Sequence, residues 1–215
     1  MPVEVKICGL STPETVDAAI AAGAGFVGFV FYPKSPRHVS LEQATALAAR
    51  ARGRAKIVAL TVDADDALLA KINEAVDPDF FQAHGAETPE RISAITALTG
   101  KPVIKAIRVK DATDVVSAAA FSSVAALILY DAKAPETLGN SLPGGNGLAF
   151  DWSLLDGGRR RAFMLAGGLD AGNVVDAIRV TGAPIVDVSS GVESAPGVKD
   201  IGLIRKFIEA AKGAL

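Results

Sequence analysis

The chain opens on an alternation. Val3, Val5 and Ile7 fall on one side of an extended segment, and Glu4, Lys6 and Cys8 on the other. That is the period of two of a β-strand whose faces differ. Ser11-Thr12-Pro13-Glu14 then supplies a hydroxyl cap, a proline in the first turn and an acid near the positive end of the helix dipole, which predicts a helix running to Gly23. Phe26 to Phe31 is a near-continuous apolar run, the pattern of a strand covered on both faces, as in a parallel sheet. A proline-punctuated loop from Tyr32 to Val39 follows. Ser40-Leu41-Glu42-Gln43 has the spacing of a capping box at the head of a second helix.

The same succession runs to the end of the chain. Further strands are predicted at Lys56–Thr61, Asp79–Gln82, Pro102–Ile107, Ala125–Tyr130, Ala162–Ala166 and Ile185–Val188. Helices are predicted at Ala64–Val76, from Thr88-Pro89-Glu90 onward, at Ala112–Ala119, at Ala171–Val180 and at Lys199–Lys212, with a short one beginning at Phe150-Asp151-Trp152-Ser153. Ala132 to Ala149 exceeds the about 12–15 residues usual for a loop in a compact domain and carries Gly144-Gly145-Asn146-Gly147, which points to a working loop. Eight strands alternating with helices predict an α/β fold, a (β/α)8 TIM barrel forming one catalytic domain over residues 1–215. An open doubly wound sheet shows a similar alternation.

Composition narrows the function. Half of the 215 residues are apolar and the formal net charge is only -2, which argues against disorder and against a broad nucleic-acid-binding surface and leaves soluble small molecules as the default partners. One cysteine cannot form an internal disulfide and suits a reducing compartment. The start has no basic stretch leading into an apolar one, and no apolar run reaches about 18 residues, so neither a signal peptide nor a spanning helix is expected and the expected location is cytoplasmic.

In a barrel the working groups gather at the C-terminal ends of the strands, with phosphate often held after strands seven and eight. Cys8, Arg37, His84, Asp131, Gly167-Gly168, Asp187 and Ser189-Ser190-Gly191 all fall at or just past predicted strand ends. The two glycine-bearing turns can bring backbone N–H groups close to an anion. Either turn alone reads as a tight strand-to-helix connection, but two on successive strand ends favour a phosphate site. Cys8 taken singly is a packing residue, since free cysteine is among the most buried types. Its parity with Glu4 and Lys6 instead puts it in the barrel lumen, near solvent, as a candidate base or nucleophile. Asp131, alone at the end of an apolar strand, is either a cap or an acid. His84 alone is a hydrogen-bonded structural histidine, and Arg37 either a solvated loop charge or a fork for a carboxylate. Gly23-Ala24-Gly25-Phe26-Val27-Gly28 matches a dinucleotide fingerprint in letters, but it runs from helix to strand, the reverse of the required order. Two histidines and one cysteine without ligand spacing make a poor metal set, and there is no Gly-x-Ser-x-Gly elbow.

Six ordered motifs between residues 3 and 193 carry a family resemblance. They are Lys6-Ile7-Cys8-Gly9-Leu10; Phe29-Val30-Phe31-Tyr32-Pro33-Lys34-Ser35-Pro36-Arg37-His38-Val39; Gln82-Ala83-His84-Gly85; Gly144-Gly145-Asn146-Gly147 with Phe150-Asp151-Trp152; Leu165-Ala166-Gly167-Gly168-Leu169 with Asn173-Val174; and Val186-Asp187-Val188-Ser189-Ser190-Gly191-Val192-Glu193. Together they resemble phosphoribosylanthranilate isomerase, an enzyme of tryptophan biosynthesis. The resemblance implies a (β/α)8 isomerase without cofactor that converts N-(5-phosphoribosyl)anthranilate to 1-(2-carboxyphenylamino)-1-deoxyribulose 5-phosphate by an Amadori rearrangement. It implies Asp131 as general acid, Cys8 as general base, Arg37 on the anthranilate carboxylate, and Gly167, Gly168, Ser189, Ser190 and Gly191 on the phosphate. His84 and Asp187 are expected on the substrate side, with Asp187 ordering the site. Asn146 stands where the family has a small hydroxyl residue and Ala83 where it has leucine. The histidine-pathway isomerase on the same barrel would instead have an aspartate at the position of Cys8. Expected partners are a small phosphosugar and no nucleic acid or membrane, with assembly as a monomer or a weak homodimer.

Overall fold

The computed structural model describes residues 3–132, 149–155 and 162–214. Eight strands, β1 (Glu4–Cys8), β2 (Phe26–Phe31), β3 (Lys56–Thr61), β4 (Phe80–Ala83), β5 (Val103–Val109), β6 (Leu127–Ala132), β7 (Phe163–Leu165) and β8 (Ile185–Val188), form a closed barrel in chain order. Every neighbouring pair is parallel, and the ring is completed by β1 on β8, from Glu4 opposite Ile185 to Ile7 opposite Val188. That pairing excludes the open doubly wound sheet, whose outer strands would stay unpaired.

The connecting helices are α1 (Pro13–Ala22), α2 (Leu41–Ala51), α3 (Asp66–Val76), α4 (Pro89–Thr99), α5 (Ala112–Ser117), α6 (Val174–Thr181) and α7 (Ile201–Lys212). Side-chain oxygens of Thr12, Ser40, Asp65, Thr88 and Asp200 accept the third backbone N–H of α1, α2, α3, α4 and α7, satisfying donors the helix leaves open. The capping box expected at Ser40 is only half formed. Gln43 donates its backbone N–H to Ser40 Oγ but sends its amide to the Ser11 carbonyl, 2.7 Å away, and so ties α2 to the loop after β1. The reciprocal box stands instead at Asp111 and Asp114.

Strand parity divides the core in two. One set, including Val5, Ile7, Val27, Phe29 and Val186, packs under the helices. The other, including Phe26, Val58, Ile104, Leu129 and Met164, fills the lumen, making it a packed interior. Two departures from expectation lie beside the lumen mouth. Asp131 sits within β6, because that strand pairs with β5 as far as Ala132 opposite Val109. The helix after β7 starts at Val174, later than expected, because Asp170 Oδ1 accepts the N–H groups of Gly172 and Asn173 while Asn173 Nδ2 donates to the Gly168 carbonyl. These side chains hold the turn against continuing as helix. A two-stranded hairpin, β9 (Glu193–Ala195) with β10 (Val198–Lys199), precedes α7 and takes in Lys199, the expected first residue of that helix.

Candidate active site

A cavity open to solvent occupies the mouth of the barrel at the C-terminal strand ends. Cys8, Arg37, His84, Asp131, Gly167, Gly168, Asp187, Ser189 and Ser190 all line it, so closure brings together side chains from six strand ends. Gly191 alone of the expected site residues is not in the lining. A Cβ there would lie 1.9 Å from the Leu169 carbonyl oxygen, so its role is to let the β8 turn lie directly on the β7 turn.

Asp131 is held on both oxygens. Oδ1 accepts the Ala132 backbone N–H at 2.9 Å, and Oδ2 lies 3.1 Å from His84 Nε2. The Gln82 amide lies 2.9 Å from His84 Nδ1; with that amide donating, the imidazole proton sits on Nε2 and points at Asp131. His84 is therefore a partner of Asp131. Gln82 is the link that strand reading missed, although a polar residue two positions before His84, on the same face of an apolar strand, was its visible signal.

Cys8 is only 3% exposed, more enclosed than a strand-end position suggested, because the lumen is narrow there and Val30 and Leu60 pack on it. Burial pushes its thiol upward, Lys6 pulls it down, and the balance leaves it above the ordinary thiol value. The Ser189 hydroxyl donates to the Cys8 carbonyl at 3.1 Å, joining β1 to the β8 turn.

Arg37 is buried and paired: Nε and Nη2 donate to the two oxygens of Glu193 at 2.7 and 2.9 Å, a bidentate fork that fixes the guanidinium plane. Glu193 Oε1 also accepts from Lys199 Nζ at 2.6 Å, and Lys199 donates to the Ser189 carbonyl at 2.9 Å. Burial would push the Glu193 carboxyl up, but Arg37 and Lys199 outweigh it and hold it below the usual carboxylate range. Glu193 thus joins the arginine side of the cavity to the β8 turn. Glu193 and Lys199, which make this link, both come from the unforeseen hairpin, and no periodicity marks them in the sequence.

Gly167 has φ +90°, and a Cβ on it would lie 2.5 Å from the Ala132 backbone nitrogen, so only glycine fits this turn against the end of β6. Among the described residues no His, Cys, Asp and Glu group could hold a metal ion, and no helix is long and apolar enough to cross a membrane. The segment with Gly144-Gly145-Asn146-Gly147 lies outside the described residues.

The sequence profile of the N-(5'-phosphoribosyl)anthranilate isomerase family matches residues 5–210. An N-(5'-phosphoribosyl)anthranilate isomerase of Rhizobium meliloti (strain 1021) is 54% identical over 215 residues, covering 100% of this chain and 99% of that protein. The crystal structure of phosphoribosyl anthranilate isomerase from Thermotoga maritima superposes with a TM-score of 0.87 at 37% identity, covering 98% of this chain and 99% of that one. A crystal structure of a phosphoribosyl anthranilate isomerase in complex with reduced 1-(o-carboxyphenylamino)-1-deoxyribulose 5-phosphate gives a TM-score of 0.84 at 35% identity, with 98% of this chain and 99% of that chain covered. With a profile match over most of its length and such identity along the whole chain, the protein belongs to the N-(5'-phosphoribosyl)anthranilate isomerase family.

Proposed function

We propose that this chain, as one barrel domain, catalyses the Amadori rearrangement of N-(5'-phosphoribosyl)anthranilate to 1-(2-carboxyphenylamino)-1-deoxyribulose 5-phosphate, in tryptophan biosynthesis in the cytoplasm. The reading is carried by one observation: a thiol and a carboxyl from separate strands share a cavity with two glycine-bearing turns. The reaction needs a proton donor and then a proton acceptor on one phosphorylated sugar.

Asp131 donates its proton to the ring oxygen of the ribose. The C1–O bond breaks as the anthranilate nitrogen lone pair forms the C1=N bond of a Schiff base. Asp131 is left as a carboxylate, and the donors at its two oxygens, the Ala132 N–H and His84, suit that anion. Cys8, as thiolate, then takes the proton from C2. The C2–H electron pair forms the C1=C2 bond of an enolamine while the C1=N pair returns to nitrogen, and tautomerisation gives the ketone.

The phosphate docks on backbone N–H groups of the Gly167-Gly168 and Ser189-Ser190-Gly191 turns, where two glycines of positive φ open the β7 turn. Arg37 meets the anthranilate carboxylate, its plane set by Glu193. Asp187 orders this arrangement from the floor of the cavity. That a family member was crystallised with a reduced form of the product supports a ligand of this class.

Loss of the anthranilate fluorescence of freshly generated substrate measures turnover directly. Cys8→Ala and Asp131→Ala are each expected to lower kcat by about 10²–10⁴-fold, the usual range for lost acid–base groups. Near-normal turnover in either variant removes that residue from the mechanism.

A further inference from the structure

Lys6 is fully buried in the barrel lumen, two residues before Cys8 on the same face of β1. Its Nζ lies 3.0 Å from Asp187 Oδ1 on β8, and its charge acts on the neighbouring Cys8 thiol. Gly28 of β2 makes room for this meeting: a Cβ there would stand 3.1 Å from Cys8 Sγ and 3.2 Å from Lys6 Nζ. Apolar side chains fill most of the remaining lumen, and an ion pair in such a place is generally replaceable by apolar residues without loss of stability. Packing alone therefore gives no reason for a lysine here. Its two partners give one: an ammonium with three donors, anchored by a carboxylate on one side and presented to a thiol on the other.

We infer that Lys6 is the positioning residue for the Cys8 thiolate, with Asp187 holding the Lys6 ammonium against it across the barrel seam. Asp187 then has two opposed effects. It keeps Lys6 charged and in place, and its own negative charge opposes a second anion beside it. The other charged groups sharing the cavity are Arg37 from the loop after β2, His84 after β4 and Asp131 of β6, with Lys199 of β10 acting from behind the Ser189 turn. Lys6 is the cation on the thiol's own strand, and its pull on the thiol exceeds that of Lys199. Burial pushes the Lys6 ammonium down, but the charges of Asp187 and Cys8 outweigh burial and leave it above the ordinary lysine value, so it stays charged in the range where the thiol titrates. The catalytic meaning of this pair rests on Cys8 being the base; the charge coupling itself does not.

The chain has one cysteine, so protein labelled with 13C at cysteine Cβ gives a single resonance whose titration follows Cys8 with no reagent having to reach it. Lys6→Gln, which keeps a donor but removes the charge, should raise the Cys8 midpoint by about one pH unit or more. Asp187→Asn keeps an oxygen acceptor that holds the Lys6 ammonium in place but removes the opposing negative charge, so it should move the midpoint down. The pH profile of kcat/KM should shift in the same sense for each. A merely structural pair predicts no such opposed movement, so an unmoved midpoint in Lys6→Gln, or shifts of both variants in one direction, overturns the inference. Should Lys6→Gln fail to give a cooperative thermal transition, the double variant Lys6→Gln/Asp187→Asn replaces the ion pair by a neutral hydrogen bond. Its midpoint should then lie above that of the unsubstituted protein, and an unchanged or lower one overturns the inference. Cys8→Ala turnover tests the base separately: lost turnover with unmoved midpoints defeats the Lys6 inference alone, and retained turnover with opposed shifts defeats the base assignment alone.

Discussion

At Cys8 burial and charge pull against each other. Enclosure favours the neutral thiol and pushes its pKa up, Lys6 and Lys199 favour the thiolate, Asp187 opposes it, and burial prevails. A base must be deprotonated to act, so the active fraction of free enzyme grows as pH rises toward a value above the ordinary thiol range. The profile of kcat/KM, which reports groups of the free enzyme, should therefore climb through neutral into alkaline pH. A plateau already reached at pH 6 in steady-state assays would contradict a thiolate base with a raised pKa. Cys8 and Asp131 were legible as candidates because each is the odd residue on its strand. Gln82 and Lys6 were visible as polar residues of lumen parity, but the groups they serve lie on other residues' faces or strands.

The site is built from pairs of elements. The β7 and β8 turns lie against one another through Gly191, and β6 meets the β7 turn through Gly167. Gly191→Ala puts a methyl group into the Leu169 carbonyl, which forces the two turns apart. The expected result is weaker grip on the phosphate, a rise in KM of about 10-fold or more for the loss of one or two charge-assisted hydrogen bonds, with a smaller effect on kcat. Inhibition by inorganic phosphate should weaken in parallel. Equal phosphate inhibition in both proteins would separate Gly191 from anion binding. A second strut lies on the helix side of the barrel, where buried Glu87 accepts from Lys105 at 2.8 Å and from the backbone N–H of Asp63 at 2.9 Å, joining the loops after β3 and β4 to β5. Element boundaries were least legible where such side chains compete with the backbone, as at Asp170 and Asn173 before α6, or where chain reversal makes a short hairpin without alternation, as in β9 and β10.

For the whole molecule, closure is the decisive event. β1 must find β8, 181 residues away where Lys6 meets Asp187, and α7 seals the seam by packing on α1. Ile204, Phe207, Ile208 and Ala211 of α7 are all buried. Phe207→Ala removes a fully buried ring and should cost about 3–5 kcal/mol, read as a lower midpoint in denaturant unfolding. Because the hairpin with Glu193 and Lys199 leads straight into α7, activity should fall at denaturant concentrations below those that unfold the rest of the barrel. Coincident loss of activity and ellipticity would show that the seam and the remainder melt as one unit.

The sequence by itself determined the alternation of strands and helices, the positions of most helix starts, and the residue types that gather at strand ends, because periodicity, capping and turn chemistry are local and each strand carries its own parity. Tertiary structure decided what no local pattern encodes. The ring is closed because β1 pairs with β8, which no single strand announces. Lys6 pairs with Asp187, His84 with Asp131, and Glu193 ties Arg37 to Lys199. Each of these partnerships joins residues on separate elements. Burial, which holds the Cys8 thiol above its ordinary value, exists only once the barrel has closed around it.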